Sequence, residues 1–237
     1  MKYDLVIFDM DGTILDTLDD LTAATNYALQ KKGLPHDFSR DRVKLCFGCG
    51  IYADMVKSLA MAAGADDEEI EGAGDTIPLS RWGFTEKDAE ELRAVFSPYY
   101  SSHNRLKTAP YPGIPELIRT LRAAGVRTAV ASNKDEADVK KLAGQLFPGL
   151  FDTVIGNSPA ISRKPAPDMI NAIRTRWDVS REKTLYIGDS EVDLETAKNG
   201  GVDCLCVNWG FRTEDFLRRH GAERIISRAK EIEAFCR

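Results

Sequence analysis

The apolar positions of this chain change their period along its length, and the changes divide it. "YDLVIFD" is a short, continuous, β-branched run, which predicts a buried strand. From Gly113 onward, short runs of this kind alternate with helical patterns. In "GIPELIRTLRAAG" the residues Ile114, Leu117, Ile118 and Leu121 recur on one helical face, and Gly125 marks the stop. "VRTAVAS" predicts a strand, "KDEADVKKLAGQLF" a helix and "DTVIG" a strand. "APDMINAIRTRW" predicts a helix with Pro167 near its start, where proline is tolerated. "TLYIG", "SEVDLETAKNGG", "DCLCVNW" and "ERIIS" continue the alternation. Strands alternating with helices predict an α/β fold, a doubly wound parallel sheet with helices on both faces.

One interval departs from this rhythm. The first strand ends near Asp9, yet the regular alternation resumes only near Gly113, whereas a crossover unit needs about 30 residues. The surplus carries helical patterns in "LDDLTAATNYALQKKG", "GIYADMVKSLAMAAG" and "EKDAEELRAVFSPYYSSH", with the acidic "GADDEEIEGAGD" separating the last two. The expected organisation is a core of residues 1–15 and 85–237 with an inserted all-helical cap at 16–84, the helix after the insertion leading back to the core.

Composition narrows the function without naming it. With 237 residues and 43% of them hydrophobic, the chain can build a packed core without disulfide staples. A mixed surface with a formal charge of −5 lacks the basic footprint of a nucleic-acid binder. No segment has the apolar length of a membrane span or a signal-peptide core, so a cytoplasmic protein is expected. The five cysteines form no secreted disulfide framework. Cys46 and Cys49 make a C-x-x-C without further zinc ligands nearby, and packing is their expected role. Cys204 and Cys206 alternate along a strand, and His36, His103 and His220 show no ligand spacing.

The candidate chemistry sits at the ends of the predicted strands. Asp9 and Asp11 lie two apart in "FDMDGT", on one face if the strand continues through them. Two such charges about 6 Å apart repel by roughly 3 kcal/mol at an effective dielectric near 20. Burial adds a desolvation cost, so either a proton or a cation resides there. An all-oxygen pocket suits a hard ion such as magnesium. The alternative is a solvated Asp-Gly turn. Beyond the other strands come Ser132 and Asn133, then Gly188, Asp189 and Asp193, while Lys164 precedes a helix. Ligands of open α/β sheets bind outside the carboxyl ends of strands, which brings Asp9, Asp11, Ser132 and Asp189 to one edge. Carboxylates, a hydroxyl, an amide and an ammonium together suit a phosphoryl group. Taken singly, Ser132–Asn133 and Asp189–Ser190 can also be helix caps, and Lys164 a surface lysine.

Four stretches, "DMDGT", "SN" after a strand, "KPAPD" and "GDSEVD", together resemble the haloacid dehalogenase-like hydrolase superfamily over essentially the whole chain. The insertion after the first of them resembles the helical cap of one branch. "LTAATNYALQKKGLP", "FGCGIYADMV", "YYSSHNRLKTAPYPGIPELIRTLRAAG" and "NWGF" are similar to phosphoglycolate phosphatases within that branch. The resemblance implies a phosphatase of a small phosphorylated metabolite, with 2-phosphoglycolate leading, working through an aspartyl-phosphate. Asp9 would be the nucleophile and Asp11 the general acid/base. Mg2+ would be held by the Asp9 carboxylate, the Asp11 carbonyl and Asp189, with Asp193 in support. Ser132, Asn133 and Lys164 would bind the phosphoryl group, with backbone donors from Gly12 and Thr13. In the cap, the loop bearing Gly48 and Gly50 is the candidate substrate contact, because glycine lets backbone approach a ligand closely. Lys44 or Arg42 of that loop is a candidate for a substrate carboxylate, with solvated surface the competing reading.

The resemblance also leaves rivals. One is a related cap-bearing phosphatase of another small phosphate or pyrophosphate, and another is a sugar phosphomutase. From a different class comes a non-catalytic phospho-receiver or binding module, which uses similar residue types in about half the length. The expected partners are a small phosphorylated metabolite and neither nucleic acid nor membrane, the chain being a monomer or homodimer.

Overall fold

The computed structural model describes all residues 1–237. Contacts divide them into two units, Met1–Asp16 with Ala109–Arg237, and Thr17–Thr108. The first unit opens with strand β1, Leu5–Phe8, every residue of which is buried, followed by the two-residue strand β2, Leu15–Asp16.

The second unit is helical. Its elements are α1 (Leu18–Lys31), α2 (Arg40–Lys44), α3 (Ile51–Ala62), α4 (Asp67–Gly72) and α5 (Glu86–His103), with a short 3₁₀ turn at Leu79–Trp82. Helix α5 starts at a capping box between Thr85 and Asp88, and its apolar stripe of Ala89, Leu92, Phe96 and Tyr100 is buried. That stripe packs against α1 and α3. Tyr27 stacks on Tyr99 with ring centroids 3.9 Å apart. The inserted unit therefore runs to Thr108, and α5 belongs to it, whereas the pattern alone suggested a return to the core at residue 85. An amphipathic stripe states that a helix must be covered but not by what. The acidic stretch read as a separator holds α4, started by a second capping box, Asp66 with Glu69. Cys46 is buried, its Sγ 3.8 Å from Met61 Sδ, in keeping with a packing role.

At the insertion's end, the buried Asp20 carboxylate accepts from the Lys107 amide at 3.0 Å, the Thr108 amide at 2.9 Å and the Thr108 hydroxyl at 2.8 Å. The start of α1 is thereby tied to the chain leaving the unit. The first unit resumes with β3 (Ala109–Pro110), which pairs antiparallel with β2, Asp16 opposite Ala109.

The remaining elements alternate as expected: α6 (Ile114–Ala123), β4 (Arg127–Asp135), α7 (Glu136–Leu146), β5 (Thr153–Asn157), α8 (Asp168–Arg176), β6 (Thr184–Gly188), α9 (Glu191–Gly200), β7 (Asp203–Val207), α10 (Glu214–Arg219), β8 (Ile225–Ile226) and α11 (Ala229–Cys236). The six-stranded sheet runs β5-β4-β1-β6-β7-β8 and every pairing is parallel. Numbered within the sheet alone this is the order 3-2-1-4-5-6, the doubly wound arrangement, whose switch point lies between β1 and β6.

The period of two along β1 sends Val6 and Phe8 to one face, with Ile114, Ile118, Leu142 and Ile232. Leu5 and Ile7 go to the other, with Met169, Ile170 and Ile173. Both faces are covered, which is why the strands read as unbroken apolar runs. No helix is long and apolar enough to cross a membrane.

Candidate active site

Where β1 ends, the Asp9 amide donates to the Ile187 carbonyl at 2.8 Å, which holds Asp9 against β6 just past the paired register. The chain then turns sharply. The Met10 carbonyl accepts from the amides of Ile14 and Leu15, both at 3.0 Å. Gly12 takes φ of +80° in this turn, and a Cβ there would lie 2.3 Å from Asp189 Oδ2. Asp189 follows β6, so the turn after β1 and the end of β6 close on each other at the switch point.

Both oxygens of Asp189 are held. Thr13 Oγ1 donates to Oδ1 at 2.9 Å, and the Phe211 amide donates to Oδ2 at 2.6 Å. The loop after β7 is braced in turn, since the Trp209 indole donates to the Thr13 carbonyl at 3.1 Å. Gly210 fits beneath the carboxylate, where a Cβ would lie 2.2 Å from Asp189 Oδ2 and 2.4 Å from the Gly12 carbonyl oxygen.

Lys164 is 5% exposed and stands at the centre of the cluster. Its ammonium donates to Asp9 Oδ1 at 2.6 Å, to Asp193 Oδ1 at 2.7 Å and to the Tyr186 hydroxyl at 3.1 Å. Tyr186 donates to Asp193 Oδ1 at 3.0 Å. The other oxygen of Asp193 accepts from the Asp189 and Ser190 amides at 3.2 and 3.1 Å and from the Ser190 hydroxyl at 2.7 Å. Asp193 is thus saturated at the first turn of α9. Ser190 is that helix's N-cap, so the capping reading and the site reading both hold at this strand end.

Ser132 and Asn133 do not cap a helix, because β4 continues to Asp135, whose side chain caps α7. Ser132 is buried, and its Oγ accepts from the Lys134 amide at 3.2 Å. The Asn133 side chain clamps the Lys164 peptide, donating to its carbonyl at 3.0 Å and accepting from its amide at 2.8 Å.

The structure differs in two places from the convergence of Asp9 with Asp11 and the backbone donors expected of Gly12 and Thr13. The Asp11 carboxylate does not join the other acids: Lys134 Nζ stands 3.1 Å from its Oδ1 as an ion pair, without hydrogen-bond geometry. The close group is Asp9, Asp189 and Asp193, with one oxygen from each within 4.8 Å of the others. The Gly12 amide is taken up within the turn, donating to the Leu15 carbonyl at 2.9 Å, while Thr13 serves Asp189 through its hydroxyl. Gly48 and Gly50 both take positive φ in the helical unit, where Gly50 precedes α3. Arg42 is engaged in that unit by Asp67 and the Ala65 carbonyl.

The electrostatics follow from burial. Desolvation pushes the Asp9 carboxyl well up, with Lys164 opposing and Asp193 and Asp189 adding to the rise. Burial, then the Asp193 charge, pushes Asp189 up to about 7. Desolvation works against the Lys164 ammonium, but Asp193 and Asp9 outweigh it and hold its pKa well above the ordinary value. One buried cation therefore faces three buried carboxylates. The excess negative charge and the all-oxygen donors fit a hard divalent cation, and Asp9 and Asp189 accept fewer hydrogen bonds than Asp193 and so keep more capacity for it.

The chain matches the haloacid dehalogenase-like hydrolase family over residues 6–207. It belongs to that family. Its curated relatives include the phosphoglycolate phosphatase of Pseudomonas putida, 31% identical over 87% of this chain and 70% of the relative. The phosphoglycolate phosphatase of Aquifex aeolicus is 28% identical over 87% of this chain and 85% of the relative. Among solved structures, a candidate phosphoglycolate phosphatase from Lactobacillus delbrueckii subsp. bulgaricus is 44% identical. It superposes with a TM-score of 0.94 over 100% of this chain and 99% of its own. Within the family, this chain is thus similar to phosphoglycolate phosphatases.

Three residues of the site escaped the sequence reading. Tyr186 lay inside a strand pattern, where an aromatic residue signals only packing. Gly210 belongs to "NWGF", where nothing in the sequence gives the glycine a role of its own. Lys134 had a usable signal: it lies two residues beyond Ser132, on the same side of a strand that continues.

Proposed function

We propose that this protein is a magnesium-dependent phosphatase of a small phosphomonoester, 2-phosphoglycolate before others, acting through an aspartyl-phosphate at Asp9. The observation that carries the reading is the buried Asp9 carboxylate at the switch point, held by Lys164 and grouped with Asp189. The names of the relatives support the substrate.

In this reading Asp9 attacks phosphorus and the ester P–O bond breaks. The leaving alkoxide takes a proton from Asp11. Water then attacks the phosphorus of the aspartyl-phosphate and passes its proton to Asp11, which frees phosphate and Asp9. Lys164, held by Asp193 and Tyr186, keeps a fixed positive charge beside the transferring group, and Ser132 offers its hydroxyl to a phosphoryl oxygen. Asn133 sets the Lys164 backbone. Asp9 and Asp189, with the Asp11 carbonyl, would hold Mg2+, which supplies further positive charge to the phosphoryl oxygens. The turn after β1 and the loop after β7 fix Asp189 before substrate arrives, so little reorganisation is left for the reaction.

Phosphate release from 2-phosphoglycolate and from p-nitrophenyl phosphate, with Mg2+ and with a chelator, tests the proposal. Turnover is expected with the ion, together with its loss in the chelator and in Asp9→Asn. An Asp9→Asn variant that keeps parental turnover, or a parent that releases no phosphate, refutes it.

A further inference from the structure

We propose that Lys134 is the receptor for the carboxylate of the substrate, so that the site selects phosphate esters bearing an acid one carbon from the ester oxygen. The inference rests on the phosphatase reading above and specifies its substrate class.

The placement argues for it. Lys134 lies near the end of β4, its side chain 9% exposed and its ammonium 3.1 Å from Asp11 Oδ1. If Asp11 delivers the proton to the leaving oxygen, that oxygen lies within hydrogen-bond reach of Asp11, about 2.6–3.2 Å. In 2-phosphoglycolate a single carbon separates this oxygen from the carboxylate. A group so short cannot extend far from Asp11, and Lys134 is the cation already beside Asp11. An ammonium has three donor hydrogens, so Lys134 can stay beside Asp11 and still donate to a carboxylate of the substrate.

The other cations offer less. Lys164 is committed to two carboxylates of the core. Arg42, which with Lys44 was a sequence candidate for this contact, is engaged inside the helical unit. Lys164 and a divalent ion already face the carboxylates of Asp9, Asp189 and Asp193, so a substrate carrying a phosphoryl group and a carboxylate brings negative charge that they do not offset, and Lys134 supplies positive charge beside the leaving group. Hydrogen bonds to charged groups contribute enough that losing this one implies a loss of about tenfold or more in affinity.

The test compares paired ligands that differ only in the acid. Catalytic efficiency is measured for 2-phosphoglycolate and for ethyl phosphate in the parent, Lys134→Met and Lys134→Arg. The ratio of the two is expected to fall at least about tenfold in Lys134→Met, mainly through KM, and to be largely restored in Lys134→Arg, which keeps the charge. Binding without turnover is read from thermal stabilisation by 3-phosphonopropionate and by propylphosphonate. The methionine variant is expected to lose the extra stabilisation by the former, a result independent of any effect on proton transfer at Asp11. An equal drop for both esters, with the phosphonate difference preserved, overturns the inference and leaves Lys134 as a group that only positions Asp11. A parent that prefers ethyl phosphate overturns it too, with the phosphatase reading intact. A parent that hydrolyses neither ester overturns that reading itself.

Discussion

Replacing Gly210 by alanine adds one methyl group at the most crowded point of the site. Its Cβ would lie 2.2 Å from Asp189 Oδ2, 2.4 Å from Asp189 Cβ and 2.4 Å from the Gly12 carbonyl oxygen. Ordinary contact begins near 3.5 Å, so the neighbours must yield by about 1 Å. They have little freedom to do so, because Asp189 is held at both oxygens and Gly12 lies in a turn bonded to Leu15. Overpacking of this kind costs about 1–3 kcal/mol, and the rigid neighbours place this case near the top of that range. For a chain of this size, 1 kcal/mol moves Tm by about 2–4 °C, so a drop of roughly 6–12 °C is expected. The second effect is sharper. An ion that binds only the folded chain stabilises it by about 2.7 kcal/mol at 100 times its Kd. A displaced Asp189 forfeits much of that gain. Differential scanning fluorimetry in chelator and across a Mg2+ titration reads both quantities. The variant should melt lower in chelator and gain little from the ion. A variant with the parental Tm and the parental response to Mg2+ refutes the account of how Asp189 is fixed.

Two further outcomes follow from the buried charges. Because the Asp189 carboxyl is raised to about 7 in the fold, its stabilising contribution is complete below the ordinary carboxylate pKa and is lost as pH rises through about 7. The chelated protein should therefore lose stability between pH 4 and 7, by on the order of a few kcal/mol, and Mg2+ should flatten the slope. Urea unfolding at several pH values checks this, and a chelated protein that gains stability over that range contradicts it. Lys164→Met leaves Asp9 and Asp193 facing each other without their shared cation, a loss of about 3–5 kcal/mol. Denaturant midpoints measure it, and an unchanged midpoint in chelator would show that the ammonium does not hold the cluster together.

The sheet was legible because its strands are covered on both faces and so appear as unbroken apolar runs between helical stripes. The gathering of acids at the strand ends was legible for a related reason: a buried strand has no structural use for Asp9 or Asp189 at its terminus, so such residues stand out. Polar groups that act from within regular elements did not stand out. Tyr186 satisfies the pattern of its strand while its hydroxyl serves Lys164 and Asp193. The Asp11 carboxylate was expected to converge with Asp9, but the turn begins before it and sends it to Lys134. The extent of the insertion was not legible, since α5 is amphipathic under either assignment and only its partners α1 and α3 decide where it belongs.

The pairing of Asp16 with Ala109 has a consequence for the history of the chain. Departure and return are neighbours on a two-strand ladder, so the sheet sees the inserted residues as a long hairpin tip. Closing such a tip becomes more costly only with the logarithm of its length, about 0.6 kcal/mol per doubling. Helical bodies of very different size can therefore be exchanged at this junction while Asp9, Lys164 and Asp189 keep their places.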